Sequence, residues 1–134
     1  MEYKNYNSIA LAFMGDAVFE QFVRERILHG GTVGADKMHR AAVRYVKAAA
    51  QEQALRAMTQ ELTEEELSVV RRARNHKITS KPKNADPVTY KMATAFEALV
   101  GYLYLSGQTD RLAEIMERAA KTTEDAQTAD KASK

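Results

Sequence analysis

The stretch IALAFMGDAVFE (residues 9–20) is an apolar run with one acid, Asp16, set in its middle. Helical spacing places Asp16 on an apolar stripe, because residues three and four apart lie on the same face of a helix. The members of this stripe are Ile9, Ala12, Phe13, Asp16, Glu20, Val23 and Ile27. A carboxylate there loses water, which is costly unless a cation or hydrogen bonds hold it. Asp16 therefore either caps or bridges a neighbouring helix, or it belongs to a functional site.

A second stretch of the same kind, TAFEALVGYLYL (residues 94–105), contains Glu97 as its single charge. Two apolar helices that cross can bring their lone acids together. Two carboxylates in one dry pocket raise each other's pKa unless a divalent cation lies between them. Magnesium suits such a pair, since one or two carboxylates, waters and a substrate phosphate complete its coordination. The alternative is two unrelated acids, each paired with its own Arg or Lys.

Length and composition predict one globular domain with a real core, because 45% of the 134 residues are hydrophobic. The chain has no cysteine, which excludes disulfides and thiolate zinc sites and fits a reducing cytoplasm. No uncharged run is long enough to span a bilayer, and the N-terminus is polar. We therefore expect a cytoplasmic protein.

The pattern of apolar residues predicts an all-α fold, since strand-like alternation is missing and helix formers dominate. Asn7 or Ser8, Thr63 and Asp86 are expected to begin helices, the second as a capping box and the third followed by proline. The expected helices cover residues 8–29, 32–46, 46–58, 64–77, 87–106 and 109–120. Whether residues 41–58 form one bent helix or two stays open. The polar tail, residues 121–134, is expected to be disordered.

Basic residues are concentrated in one window, residues 71–91, where Asp86 is the one acid. The seven basic residues are Arg71, Arg72, Arg74, Lys77, Lys81, Lys83 and Lys91. The window is either a solvated face or a binding surface for the phosphates of a nucleic acid. Six aromatics lie at helical spacing on apolar runs and are expected in the core, which argues against a single-strand binder. They are Phe13, Phe19, Phe22, Phe96, Tyr102 and Tyr104.

Two motifs resemble a known family. GDA (residues 15–17) within LAFMGDAVFE resembles the signature of ribonuclease III catalytic domains, and FEAL (residues 96–99) followed by GYLYL resembles their second acidic motif. The segment RARNHKITSKPKNADPVTYKMATAFEALVGYLYL (residues 72–105) is similar to the short bacterial branch called Mini-ribonuclease III. The resemblance covers about residues 7–120, and an appended double-stranded-RNA-binding domain is not expected in that branch.

The resemblance implies that residues 1–120 form an all-helical endonuclease domain, a ribonuclease III helical bundle that assembles as a homodimer. It implies cleavage of double-stranded RNA with Mg²⁺, or Mn²⁺ in its place, leaving 5′-phosphate and 3′-hydroxyl ends. It also implies maturation of the large-subunit (23S) ribosomal RNA precursor. By position, Asp16 and Glu97 are the catalytic and metal-binding residues.

The sequence departs from the wider family at three positions where an acid is common, which hold Ile9, Ala12 and Thr94. Only two protein carboxylates are then expected at the metal, with waters or RNA phosphate in the remaining positions. Seven residues are expected to contact RNA: Arg74, Asn75, Lys77, Lys81 and Lys83, with Lys47 or His39 extending the surface. The alternatives are a non-catalytic RNA- or ribosome-binding module on the same fold, and a helical scaffold that binds no nucleic acid.

Overall fold

The computed structural model describes residues 2–77 and 81–132, and within these ranges every regular element is helical. Two short 3₁₀ turns, Tyr3–Asn5 and Thr59–Glu61, accompany the helices. The six helices are α1 (Ser8–His29), α2 (Ala35–Val46), α3 (Ala48–Met58), α4 (Glu64–Arg74), α5 (Pro87–Leu105) and α6 (Thr109–Ala132). The prediction of an all-α fold is confirmed. Among the described residues, no helix is both long and apolar enough to cross a membrane.

Three helix starts are fixed by the side chains that the sequence predicts. Asn7 accepts hydrogen bonds from the backbone N–H groups of Ile9 and Ala10 at the start of α1. Thr63 and Glu66 form a reciprocal capping box at the start of α4. Asp86 accepts from the N–H of Thr89 at the start of α5. Each contact satisfies a donor that the first helical turn leaves unpaired.

Other helix boundaries differ from the sequence prediction. Helix α2 begins after Gly34, whose φ of 103° is not helical, and no side chain caps the helix. The extended backbone of Lys47, with ψ at 150°, separates α2 from α3, so residues 41–58 form two helices. Helix α4 ends at Arg74, three residues before the expected end. Of the expected loop, residues 78–80 lie outside the described residues.

Helix α5 is the centre of the bundle and packs against α1, α3, α4 and α6. Ten of its nineteen residues are buried, which agrees with its apolar composition on nearly all sides. The largest fully buried side chains of the protein are Phe96, Leu11, Leu55, Met58, Leu99, Leu103, Val23, Val69 and Val100. They come from α1, α3, α4 and α5, so one core spans the bundle.

Helices α1 and α5 cross with their backbones in direct contact. A Cβ atom added at Gly15 would lie 1.7 Å from the carbonyl oxygen of Glu97. A Cβ atom added at Gly101 would lie 1.9 Å from the carbonyl oxygen of Leu11. Only residues without a side chain fit at such a crossing, and larger ones would push the helices apart. The crossing fixes Asp16, the neighbour of Gly15, beside the middle of α5.

Two residues that were expected in the core of α1 are exposed. The buried side of α1 comprises Ser8, Leu11, Ala12, Gly15, Phe19, Val23 and Ile27. This stripe centres on the glycine contact, so Ile9 and Phe13 lie on its flank and are 49% and 82% exposed. Tyr104 is also 48% exposed, whereas Phe19, Phe96 and Tyr102 are buried as predicted.

Residues 121–132 of the expected tail are helical in the structure, because α6 continues to Ala132. The Arg26 guanidinium donates to both carboxylate oxygens of Glu124, at 2.6 and 2.9 Å, and to Glu117 at 2.7 Å. The hydroxyl of Tyr45 also donates to Glu124, at 2.7 Å. Thr123 is buried. These contacts with α1 and α2 correct the prediction of a disordered tail over this part of α6.

We predict that Gly15→Ala lowers the free energy of unfolding by about 3 kcal/mol, because its methyl group would overlap a backbone carbonyl that cannot move alone. Urea denaturation measures the change. Gly30→Ala is the matched control: its Cβ would meet backbone oxygens at 3.5 Å, an ordinary contact. Equal midpoints for Gly15→Ala and the wild type would contradict the close crossing.

Candidate active site

The crossing of α1 and α5 brings Asp16 and Glu97 together. Glu97 lies in the middle of α5, and its own backbone carbonyl is the group that Gly15 touches. The side chains of Asp16 and Glu97 are close enough to interact both directly and through their charges. Asp16 is exposed and Glu97 is largely buried. The structure thus joins two acids that are 81 positions apart in the sequence.

The environment of Glu97 opposes its ionisation. Burial is the largest cause, the neighbouring Asp16 carboxyl is the second, and together they raise the pKa of Glu97 to about 8. A side-chain contact from Gln51 acts in the opposite direction and lowers this pKa. Without a cation, the site therefore favours a proton on Glu97 at neutral pH. A carboxyl pair of this kind is a frequent feature of functional sites.

Gln51 is a site residue that sequence reasoning missed. It lies in the first turn of α3, is 3% exposed, and its side chain lowers the pKa of Glu97 on α5. From the sequence, the surrounding residues 46–58 are predicted only as a helix. The signal that could have found Gln51 is its spacing, since it shares a stripe with Ala54, Leu55 and Met58, which are all buried.

The three positions that depart from the wider family contribute no acid here. Ala12 is buried in the core, Ile9 is half exposed, and the Thr94 hydroxyl donates to the backbone carbonyl of Tyr90. Within residues 2–77 and 81–130, no cluster of three or more His, Cys, Asp or Glu side chains could hold a metal ion. The donors are therefore two carboxylates and one amide. This set fits Mg²⁺, which takes one or two carboxylates and keeps several waters.

The basic residues lie on the connection between α4 and α5. Arg74, Asn75, Lys77, Lys81 and Lys83 are all exposed. Glu97 lies ten residues beyond the start of α5, which corresponds to roughly 15 Å along the helix axis. The structure therefore places these side chains at one end of the helix that carries Glu97, without a contact to the acid pair.

Arg72 is one basic residue of the window that is already used within the fold. Its guanidinium donates to the Lys4 carbonyl, to the Asn5 side chain and to the Tyr6 carbonyl. This anchors the N-terminal segment against α4. The number of basic residues in the sequence thus overstates the charge that is free on this face.

Lys47 and His39 have different surroundings. Lys47 precedes α3 and is exposed, and its carbonyl accepts from the N–H of Gln51 at 3.1 Å in the first turn of that helix. His39 lines a groove of about 420 Å³ between α1 and α2, together with Glu20 and Arg24. No hydrogen bond or ion pair joins Lys47 or His39 to Asp16 or Glu97 in the described part of the chain, so their role as an extension of the RNA surface stays a prediction.

An all-α domain whose central helix crosses another at paired carboxylates fits the class of helical nucleases. Residues 9–108 match the model of the family described as "Ribonuclease III domain". The chain belongs to the ribonuclease III family of endoribonucleases.

Individual relatives agree with this assignment. The chain is 53% identical over 112 residues to a Mini-ribonuclease 3 of Symbiobacterium thermophilum, covering 84% of this chain and 86% of the relative. It is 50% identical over 113 residues to a Mini-ribonuclease 3 of Brevibacillus brevis, covering 84% of each. The crystal structure of a Fusobacterium nucleatum protein superposes with a TM-score of 0.78 at 29% identity, covering 87% of this chain and 93% of that one.

We predict that the metal-free protein loses stability as pH rises from about 4.5 to about 8. Over this range the folded state keeps a proton on Glu97 that the unfolded state releases, so unfolding is favoured as protons become scarce. Glu97→Gln removes this titration and should be more stable than wild type by about 2 kcal/mol at pH 8.

Urea denaturation with chelator present at pH 5, 6.5 and 8 measures this effect. Glu25→Gln, at an exposed position of α1, is the matched control and should keep the wild-type slope. If the free energy of unfolding changed with pH in the same way for Glu97→Gln and wild type, the raised pKa of Glu97 would be excluded.

Proposed function

We propose that this chain is a magnesium-dependent endoribonuclease that hydrolyses double-stranded RNA and leaves 5′-phosphate and 3′-hydroxyl ends. The observation that carries the proposal is the contact between Asp16 and Glu97 at the α1–α5 crossing. A divalent cation beside Asp16 would offset the burial and the neighbouring charge that oppose ionisation of Glu97. Membership of an endoribonuclease family supplies the substrate class.

In this proposal, Asp16 and Glu97 are the catalytic residues and hold Mg²⁺, or Mn²⁺ in its place. The cation supplies Lewis acidity toward a phosphoryl oxygen and lowers the pKa of the attacking water. Asp16 is exposed and can reach a phosphate at the surface, whereas the largely buried Glu97 is fixed by the core. Glu97 must lose its proton when the ion binds, so ion binding should strengthen as pH rises.

The exposed basic residues between α4 and α5 form the proposed RNA surface. Its members are the basic residues Arg74, Lys77, Lys81 and Lys83 together with Asn75, and Lys47 and His39 are proposed to extend it. The exposure of these side chains and the scarcity of acids around them support contact with phosphates. Duplex RNA recognised by its backbone needs no exposed aromatic platform.

We further propose that the protein is a homodimer in the cytoplasm and matures precursor large-subunit (23S) ribosomal RNA. Its similarity to Mini-ribonuclease III supports this substrate. The exposed side chains of Ile9 and Phe13 on the first turns of α1 support the dimer, since they share a helical face with Asp16 and leave apolar surface uncovered, as does Tyr6 just before the helix.

A non-catalytic RNA-binding module is the second candidate. The observation in its favour is the reduced acid set, with Ala12 and Thr94 at positions where acids are common in the wider family. Cleavage of duplex RNA with and without chelator separates the two functions.

We predict that Asp16→Asn lowers the rate of duplex RNA cleavage by about 100-fold or more, because it removes one of two metal-binding carboxylates. Single-turnover cleavage at saturating Mg²⁺ measures the rate. Asp110→Asn, at an exposed position in the first turn of α6, is the control and should cleave like wild type. Full activity of Asp16→Asn would exclude the proposed site.

We predict that Lys81→Ala combined with Lys83→Ala weakens duplex RNA binding and reduces its salt dependence. Two lost phosphate contacts should lower the slope of log K against log salt concentration by about 2. Binding titrations at several salt concentrations measure the slope. Lys121→Ala, on α6, is the control, and an unchanged slope in the double variant would indicate a merely solvated loop.

We predict that Phe13→Glu converts the dimer into a monomer, because it places a charge on the apolar face of α1. Sedimentation velocity measures the mass. Leu28→Glu is the control, since Leu28 is also exposed, at 54%, but lies at the other end of α1. A Phe13→Glu protein that sediments like wild type would rule out this face as the interface.

A further inference from the structure

Helix α2 carries basic side chains on the side that faces away from the core. Lys37, Arg40 and Arg44, here called the α2 stripe, are three and four positions apart and therefore share one helical face. That face is opposite Ala42, which is the one buried residue of this fully described helix. All three basic side chains are exposed. Lys47, directly after the helix, continues the same spacing and is exposed as well.

Unlike most arginines elsewhere in the protein, the cations of the α2 stripe have no partner. In the described part of the chain, Lys37, Arg40 and Arg44 form no ion pair and no side-chain hydrogen bond. The same holds there for Arg74, which belongs to the proposed RNA surface. The α2 stripe is thus available to an anion outside the chain. The arginines that do have partners are Arg24, Arg26, Arg56, Arg72, Arg111 and Arg118.

The acids around the α2 stripe do not neutralise it. Asp36, the one acid in the sequence of α2, lies in the first turn, where it complements the helix dipole. Glu124 lines the same cavity of about 500 Å³ as Arg44. Its carboxylate, however, already accepts from Arg26 and Tyr45. The α2 stripe therefore presents its positive charge to the solvent.

The length of the α2 stripe favours a polymer of phosphates as its partner. The ten positions from Lys37 to Lys47 correspond to roughly 15 Å along a helix axis. A nucleic-acid duplex carries phosphates continuously over such a distance, whereas a small anion would meet only one or two of the cations. Arginine suits this partner, because its planar fork of donors matches the geometry of a phosphate.

A membrane surface fits α2 less well than RNA does. A helix that lies on a membrane buries its apolar side in the lipid. The apolar side of α2, which includes Met38 and Tyr45, instead packs against the core of the bundle. Only the charged side of α2 is free to meet a partner, and a charged side alone is sufficient for the backbone of a nucleic acid.

We propose that the α2 stripe, Lys37, Arg40 and Arg44, is a second RNA-binding surface that contacts the phosphate backbone of double-stranded RNA in addition to the surface between α4 and α5. The proposal rests on the proposed function, because that function supplies double-stranded RNA as the substrate. Phosphate contacts hold and orient a duplex without reading its sequence. The α2 stripe therefore raises the affinity for RNA and takes no part in hydrolysis at the acid pair.

The test measures binding of a short RNA duplex by fluorescence anisotropy, with chelator present to prevent cleavage. Arg40→Gln combined with Arg44→Gln should raise Kd about 10-fold at low salt, because two charge-assisted contacts are lost. The slope of log K against log salt concentration should fall by about 2. Arg24→Gln combined with Lys121→Gln is the matched control. It removes the same charge from exposed positions on α1 and α6 and should bind RNA like wild type.

Two further measurements define the role of the α2 stripe. Single-turnover cleavage at saturating RNA and Mg²⁺ should proceed at the wild-type rate in the Arg40→Gln, Arg44→Gln variant, and a slower rate would contradict a pure binding role. Equal Kd and equal slope in this variant and in the control would overturn the proposal and leave a solvated face. Unchanged RNA affinity with lost binding to phosphatidylserine vesicles would overturn it in favour of a membrane surface.

The same readouts separate this proposal from the proposed function. If the wild type cleaves duplex RNA while the stripe variant binds RNA like the control, only the α2 stripe is wrong. If the wild type binds RNA without cleaving it, the proposed catalysis is wrong, and the salt slopes still test the α2 stripe. Adding Lys81→Ala and Lys83→Ala to the stripe variant should lower the slope by about 4 in total, since distant sites act additively.

Discussion

The close approach of two helix backbones at Gly15 and Gly101 is the constraint on which the other features depend. It sets the distance between α1 and α5, the two helices that contribute most to each other's burial. It also fixes Asp16 beside Glu97, since the residue after Gly15 has little choice of position. The glycines of the family motif are therefore as important to the site as the acids, although they carry no functional group.

The sequence predicts local features of the fold well. The caps at Asn7, Thr63 and Asp86 are correct because each depends on residues within one helical turn. The predicted end of α6, at residue 120, differs from the observed end at Ala132, because the polar composition of the tail is the only signal that the sequence offers there. Its helical continuation depends on Arg26, which is 98 positions away from Glu124. The prediction that Phe13 is buried is wrong, because helical spacing shows which residues share a face but not which line of that face packs against the core.

In the candidate site, too, the features that depend on local sequence could be predicted and those that depend on helix packing could not. A lone acid in each of two apolar runs indicates that Asp16 and Glu97 can meet and leaves open that each has its own partner, whereas the family resemblance assigns both to one site. The structure brings the two side chains together. Their catalytic role, and that of the basic loop, stays a prediction. Gln51 is easily missed, because a glutamine in an alanine-rich helix is usually a surface residue and its spacing with Ala54, Leu55 and Met58 is a weak signal. Its burial depends on how α3 is rotated against α5, which the sequence does not specify.

The Arg26 cluster bears on how far the chain can be shortened. One guanidinium joins α1 to α6 through a two-pronged contact with Glu124, and Tyr45 adds α2 to the same carboxylate. A chain that ends at residue 120, where the family resemblance ends, would lack Glu124. The partly buried Arg26 guanidinium would then lose the carboxylate that accepts two of its hydrogen bonds. The polar C-terminal turns of α6, which the sequence alone suggests are dispensable, therefore hold α1 and α2 together through Glu124.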